Sequence, residues 1–137
     1  MDKFHLQIYP KVHKFDEQIL KTMDIEKTVP DWAKEMNCAV TVCDTEGFIL
    51  YMNDKAKETF ARHGDLIGKN LMNCHNDNSK AMIRQLLESG GSNAYTIEKA
   101  GLRKMIYQTA WRQNGKVAGL VEISMVIPQE MPHYVRA

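Results

Sequence analysis

The stretch Asp44-Thr45-Glu46-Gly47-Phe48-Ile49-Leu50-Tyr51-Met52-Asn53 decides the fold. Asp44 can bond nearby backbone and Gly47 tolerates positive φ, so Asp44–Gly47 reads as a turn. Ala39-Val40-Thr41-Val42-Cys43 before it is short, apolar and β-branched, and Phe48–Met52 after it reads as a second strand. The pair is a hairpin. Asn53 then stands where a helix N-cap belongs, with Asp54 in the first turn.

Toward the N-terminus, a helical period runs from Val12 to about Met36. Val12, Phe15, Ile19 and Met23 recur three or four residues apart, and Leu20 broadens the face. Pro30 interrupts the pattern, and Asp31 to Glu35 forms one further turn. Such a stripe suits a helix lying on a sheet or one pairing with a second copy.

Beyond Asn53, Ala56, Phe60 and Ala61 face inward, and His63-Gly64 is a helix stop. Asp65–Met72 reads as a short helix or turn with a connector, and Asn73–Asn78 as a polar loop. Asp77 or Asn78 caps a helix from Ser79 to about Glu88, with Met82, Ile83, Leu86 and Leu87 as its apolar face; Gly90-Gly91 ends it. The last third holds three strands: Ala94–Lys99, Leu102–Trp111 and Val117–Ile127. In the second, Met105, Tyr107, Thr109 and Trp111 alternate with Lys104, Gln108 and Arg112. Asn114-Gly115 supplies a type I′ hairpin turn. Pro128 stops the last strand, and Gln129–Ala137 reads as a tail. The element order predicts an α+β domain: a five-stranded antiparallel sheet with helices on one face and an amphipathic N-terminal helix.

The chain has 137 residues, room for one domain. Lys plus Arg is 18 and Asp plus Glu 17, a net charge of +1. That balance argues against a nucleic-acid partner, which needs a concentrated basic face. Hydrophobic residues are 44% and charged residues 26%, as in globular chains. Three cysteines are too few for a disulfide scaffold. No apolar run approaches the roughly 20 residues that span a bilayer, and no signal-peptide core is visible. The expectation is a cytoplasmic protein with no membrane partner.

The chain resembles the PAS family over roughly residues 37 to 127. The resemblance rests on Asp44–Asn53, then Ala56, Phe60, Leu66-Ile67-Gly68-Lys69-Asn70, and finally Asn114-Gly115-Lys116-Val117-Ala118-Gly119. It implies strand order 2-1-5-4-3 and a pocket between the sheet and the helices of residues 54 to 88. It also implies sensing of a small ligand, cofactor, light or redox state, or a role as an interaction module. N-terminal helices of the family commonly pair in dimers, which implies a homodimer through Val12, Phe15, Ile19 and Met23. The chain carries no kinase, cyclase or DNA-binding output. It is a stand-alone sensor, a fragment of a longer chain, or a protein that signals through a separate output partner. The expected division is 1–36 as an N-terminal helical extension, 37–128 as the PAS domain and 129–137 as a tail.

The residues expected around the pocket are Met52, Phe60, Leu71, Met72, Met82, Leu86, Met105, Tyr107, Trp111 and Ile123, with Cys74 and His75 at its edge. Nine methionines suit an adaptable apolar site. Imidazole ligates haem iron or a transition metal, so His75 is the candidate haem ligand, and the Cys74 thiol could ligate or respond to oxidation. In haem-binding PAS sensors the axial His often lies on the long helix before the third strand. Here Ser79–Glu88 contains no His. The placement resembles prokaryotic PAS domains with Cys-His just before that helix. A flavin photosensor fits less well: the run Gly68-Lys69-Asn70-Leu71-Met72-Asn73-Cys74-His75 puts Leu71 where the reactive Cys of that subfamily should stand, and Cys74 is displaced from it. No serine or carboxylate pair has the setting of a catalytic group, so no enzyme is expected. The expectation is a PAS sensor that binds a small hydrophobic or haem-like ligand and signals through its N-terminal helix or a dimer. The alternative is a ligand-free PAS interaction or dimerisation module.

Overall fold

The computed structural model describes residues 29–137, and the stripe of Val12, Phe15, Ile19 and Met23 lies outside the described residues. The elements are α1 (Asp31–Glu35), β1 (Ala39–Asp44), β2 (Ile49–Met52), α2 (Asp54–Thr59), single 3-10 turns at Ala61–His63 and Leu71–Cys74, α3 (Asp77–Ser89), β3 (Ser92–Lys99), β4 (Leu102–Gln113) and β5 (Lys116–Ile127). The strands form one antiparallel sheet in the order β2-β1-β5-β4-β3, as the resemblance implies. Residues 130–137 carry no helix or strand.

The first hairpin forms for the expected reason. The Asp44 carboxylate accepts hydrogen bonds from the backbone N–H groups of Glu46 and Phe48 at 2.9 and 3.0 Å. The Asn114-Gly115 turn between β4 and β5 has φ of 52° and 79°, as a type I′ turn requires. A second such turn sits at Ala100-Gly101, where Ala100 takes φ of 52° without a sequence signal of Asn or Asp. Helix α3 starts two residues earlier than its apolar period suggests. Its cap is Asn76, whose side chain accepts from the Ser79 N–H at 2.9 Å.

The helices cover one face of the sheet. The core there joins Ala39 and Cys43 of β1, Ile49 and Met52 of β2, Ala56, Leu71, Ile83 and Leu86 from the helical side, and Leu120 of β5. Ile83 and Leu86 are the buried stripe of α3, whereas Met82 is more than a third exposed.

Asn53 ties these parts together. It is fully buried. Its Oδ1 accepts from Val40 N–H at 2.9 Å and from Ala56 N–H at 3.0 Å. Its Nδ2 donates to the Cys38 carbonyl at 2.8 Å and the Ala33 carbonyl at 3.1 Å. One side chain thereby caps α2, pins the start of β1 and holds α1. A primary amide has two donor hydrogens and two acceptor sites, and all four are used.

Replacing Asn53 removes partners from buried backbone groups, a costly class of change. Asn53→Ala is expected to lower stability by roughly 3 kcal/mol. Asn53→Asp should fail comparably, because its oxygens cannot donate to Cys38 and Ala33. Urea unfolding measures both, and an Asp variant as stable as the parent would remove Asn53 from this role.

Candidate functional site

A cavity of about 420 Å³ lies between the sheet and the segment from α2 to the start of α3. Its apolar wall is Ile49, Met52, Phe60, Leu66 and Leu71. Its polar residues are Thr41, His63, Asn73, Cys74, His75, Lys99 and Glu122. The volume falls in the range of small-molecule sites.

The sheet side of the cavity is set by register. Met52 pairs with Thr41, Thr41 with Glu122, Glu122 with Gln108, and Gln108 with Asn93. These five residues form one row across all five strands, and four of them are polar. Thr41 and Gln108 are buried, and Glu122 is half-buried. Gln108 Nε2 donates to Glu122 Oε2 at 2.9 Å, and Asn93 Nδ2 donates to Gln108 Oε1 at 3.3 Å. The Tyr95 phenol on β3 is pushed up, first by burial and then by the Glu122 charge.

The other wall comes from the 3-10 turn Leu71–Cys74, capped by Asn70, whose side chain accepts from Met72 N–H at 2.9 Å. Asn70 Nδ2 also donates to the Glu46 carbonyl at 3.0 Å, which fastens this turn to the first hairpin. The turn delivers His75 with Nδ1 2.8 Å from the Leu71 carbonyl oxygen. A carbonyl only accepts, so Nδ1 carries the hydrogen, and Nε2 of the neutral ring keeps its lone pair.

Of the residues singled out in the sequence, Met52, Phe60, Leu71, Cys74 and His75 line this cavity together. Met72 packs against the core beside it, and Leu86 is buried within the core. Met82 instead borders a small cleft with Asn78, Ser79, Asn93, Tyr95 and Gln108. Met105, Tyr107 and Ile123 do not line the cavity, which corrects the sequence expectation. Tyr107 pairs with Ile123 and Ile123 with Val40, one row away from Glu122. Adjacent rows point to opposite faces of a sheet, so these residues look away from the helices. Met105, paired with Met125, has the same parity. Trp111 is structural: its Nε1 donates to the Cys43 carbonyl at 2.9 Å. The indole passes over Gly119, where a Cβ would collide with the Cys43 carbonyl and the indole nitrogen.

Sequence reasoning missed Thr41, His63, Lys99 and Glu122. Glu122 carried a usable signal, as a lone carboxylate inside the apolar run Val117–Ile127.

The three thiols differ in setting. Cys38 and Cys43 are buried, and Cys74 is exposed at the rim of the cavity. Burial pushes the Cys43 thiol up to about 12 and raises that of Cys38. Among the described residues no group of three or more His, Cys, Asp or Glu is placed to hold a metal ion. Among them also, no helix is long and apolar enough to cross a membrane.

No family model matches the chain, and no curated protein matches it. Solved structures do. The PAS domain of BvgS from Bordetella pertussis is 15% identical and superposes with a TM-score of 0.56, over 77% of this chain and 88% of its own. The Aer2 receptor from Vibrio cholerae, a dual PAS-heme oxygen sensor, is 18% identical with a TM-score of 0.53, over 66% of this chain and 95% of its own. The PAS domain of the histidine kinase ThkA is 16% identical with a TM-score of 0.55, over 66% of this chain and 99% of its own. With the strand order above, these matches make the fold PAS-like.

Thiol reactivity follows burial, because the thiolate is the nucleophile. A disulfide reagent added to the native protein should modify Cys74 alone in the fast phase, and Cys74→Ser should abolish that phase. Fast modification of two or three thiols would contradict the burial of Cys38 and Cys43.

Proposed function

We propose that this chain is a sensor domain whose cavity binds a small molecule and whose N-terminal segment passes on the bound state. The observation that carries this reading is the cavity of about 420 Å³ between the sheet and the α2–α3 connection. The PAS-like fold of BvgS, ThkA and Aer2 domains supports it.

A route out of the cavity runs along bonded neighbours. Met52 lines the cavity, and Asn53 follows it in the chain. Asn53 is bonded to the Ala33 carbonyl of α1. The exposed Lys34–Asp54 ion pair at 3.1 Å adds a second link between α1 and α2. An occupant that displaces Met52 therefore acts on the element leading to residues 1–28. It shifts the equilibrium only as far as it binds two arrangements unequally.

The face of the sheet away from the helices offers a surface for that segment. Tyr107, Ile123, Met105 and Met125 lie on it. The apolar stripe of Val12, Phe15, Ile19 and Met23 is the complementary element, in the same chain or across a homodimer, and an output protein would be served from there. Phe15→Glu with Ile19→Glu is expected to give a monomer by light scattering; an unchanged dimer removes the stripe from the interface.

Haem is the weaker occupant. His75 Nε2 is a suitable axial donor, because Nδ1 is already committed to Leu71. The sheet wall does not fit: Glu122 and Thr41 would face an apolar macrocycle plane, with the carboxylate losing water and gaining no donor from it.

A fragment screen by protein NMR tests the cavity. Binding fragments should shift the amides of Thr41, Leu71 and His75, and the shifts should continue into Ala33. Leu71→Trp, which fills the site, should abolish both sets. No fragment acting on the cavity, or hits indifferent to Leu71→Trp, would end the sensor reading. Haem added to the same samples should give no Soret band that depends on His75; a band lost in His75→Ala would transfer the reading to haem.

A further inference from the structure

The chemistry of the occupant can be read from the polar row. Glu122 sits on the central strand β5 and lines the cavity. Among the described residues its carboxylate has a single hydrogen-bond partner, Gln108 Nε2, and no ion pair. Gln108 itself is 2% exposed and cannot turn around. The reverse orientation would set its carbonyl oxygen against the carboxylate and its amino group against Asn93 Nδ2, two repulsive contacts in place of two bonds. The relay therefore runs one way, Asn93 to Gln108 to Glu122, with one Gln108 N–H given to the carboxylate. Of the row, Met52, Thr41 and Glu122 line the cavity, and Glu122 brings acceptor capacity and negative charge to it.

A half-buried carboxylate with one protein donor keeps acceptor sites for a ligand, and a positively charged donor suits them best. The rest of the wall, Ile49, Phe60 and Leu71, suits an apolar body. Lys99 and His63 are also among the lining residues, but neither forms an ion pair with Glu122.

Resting on the sensor reading above, we propose that the cavity selects a small amphipathic molecule with a protonated amine head, which Glu122 receives while the apolar body lies against Ile49, Phe60 and Leu71. Thr41, beside Glu122 in the same row, offers its hydroxyl as a second acceptor for the same head. A carboxylate placed there would meet Glu122 as a like charge, so an anionic analogue of equal size is rejected.

Three probes with one apolar body separate the contributions: phenethylamine, ethylbenzene and phenylacetate, titrated into the labelled full chain and followed by NMR at the Thr41 and Glu122 amides. Phenethylamine should bind at least about tenfold more tightly than either of the others, the scale of one charge-assisted hydrogen bond. Glu122→Gln keeps the shape and the contact to Gln108 and should abolish that preference. Equal binding of phenylacetate, an unchanged preference in Glu122→Gln, or no binding of phenethylamine would overturn the assignment. The cavity reading is judged separately by the fragment screen and Leu71→Trp. The comparison of the three probes on the unaltered protein holds even if the Glu122 variant fails to fold.

Discussion

The buried amide of Asn53 is the constraint on which the arrangement of the rest depends. Its four hydrogen bonds reach four separate places: the residue before β1, β1 itself, the first turn of α2, and α1. The parallel link between Lys34 and Asp54 is half exposed on both sides, and exposed pairs contribute about 0–1 kcal/mol. The amide therefore fixes where the helical layer starts relative to the sheet. Since Met52 precedes it directly, it also fixes one wall of the cavity.

A second fixed point lies at the other end of the sheet. Trp111 crosses Gly119 to reach the Cys43 carbonyl, which bonds β4 to β1 over the strand that separates them. Only glycine permits that approach, because a Cβ at position 119 would occupy the space of the indole nitrogen and the carbonyl. Leu120 follows Gly119 and turns back into the core, where it is almost fully buried. The centre of the sheet is thus clamped on both sides of the polar row. That allows the row itself to contribute little apolar burial without loosening the strands.

The local chemistry of the chain was legible, and its long-range consequences were not. The turn at Asp44–Gly47, the cap at Asn53 and the turn at Asn114-Gly115 are each written in residues whose side chains or φ preferences act on their own neighbours. Resemblance to the PAS family supplied the strand order. Reading a strand's larger apolar set as its inward face failed for β4. Met105 and Tyr107 are the more hydrophobic set, yet the set containing Gln108 and the buried Ile106 faces the helices. Binary patterning tells which residues share a face but not which face is covered. The same limit hid Thr41 and Glu122, which come together only through register. Asn53 was legible as a cap, while its bonds to Ala33 and Cys38 depend on chain segments 20 and 15 residues away.

A sheet usually gives its most apolar face to the helices that cover it. This one places a carboxylate, an amide and a hydroxyl in the middle of that face, and Tyr107, Ile123 and two methionines on the other. Both departures have the same logic. Polar groups in the interior cost stability unless they are bonded, and the relay from Asn93 through Gln108 offsets that cost for all but part of Glu122. The remaining acceptor capacity of Glu122 is what the proposed occupant's donor would use. Apolar groups on the far face gain in turn from any segment laid over them. Under the proposed sensor reading, the link from this inner face to the rest of the chain is Met52, which lines the cavity, followed by Asn53, which holds α1.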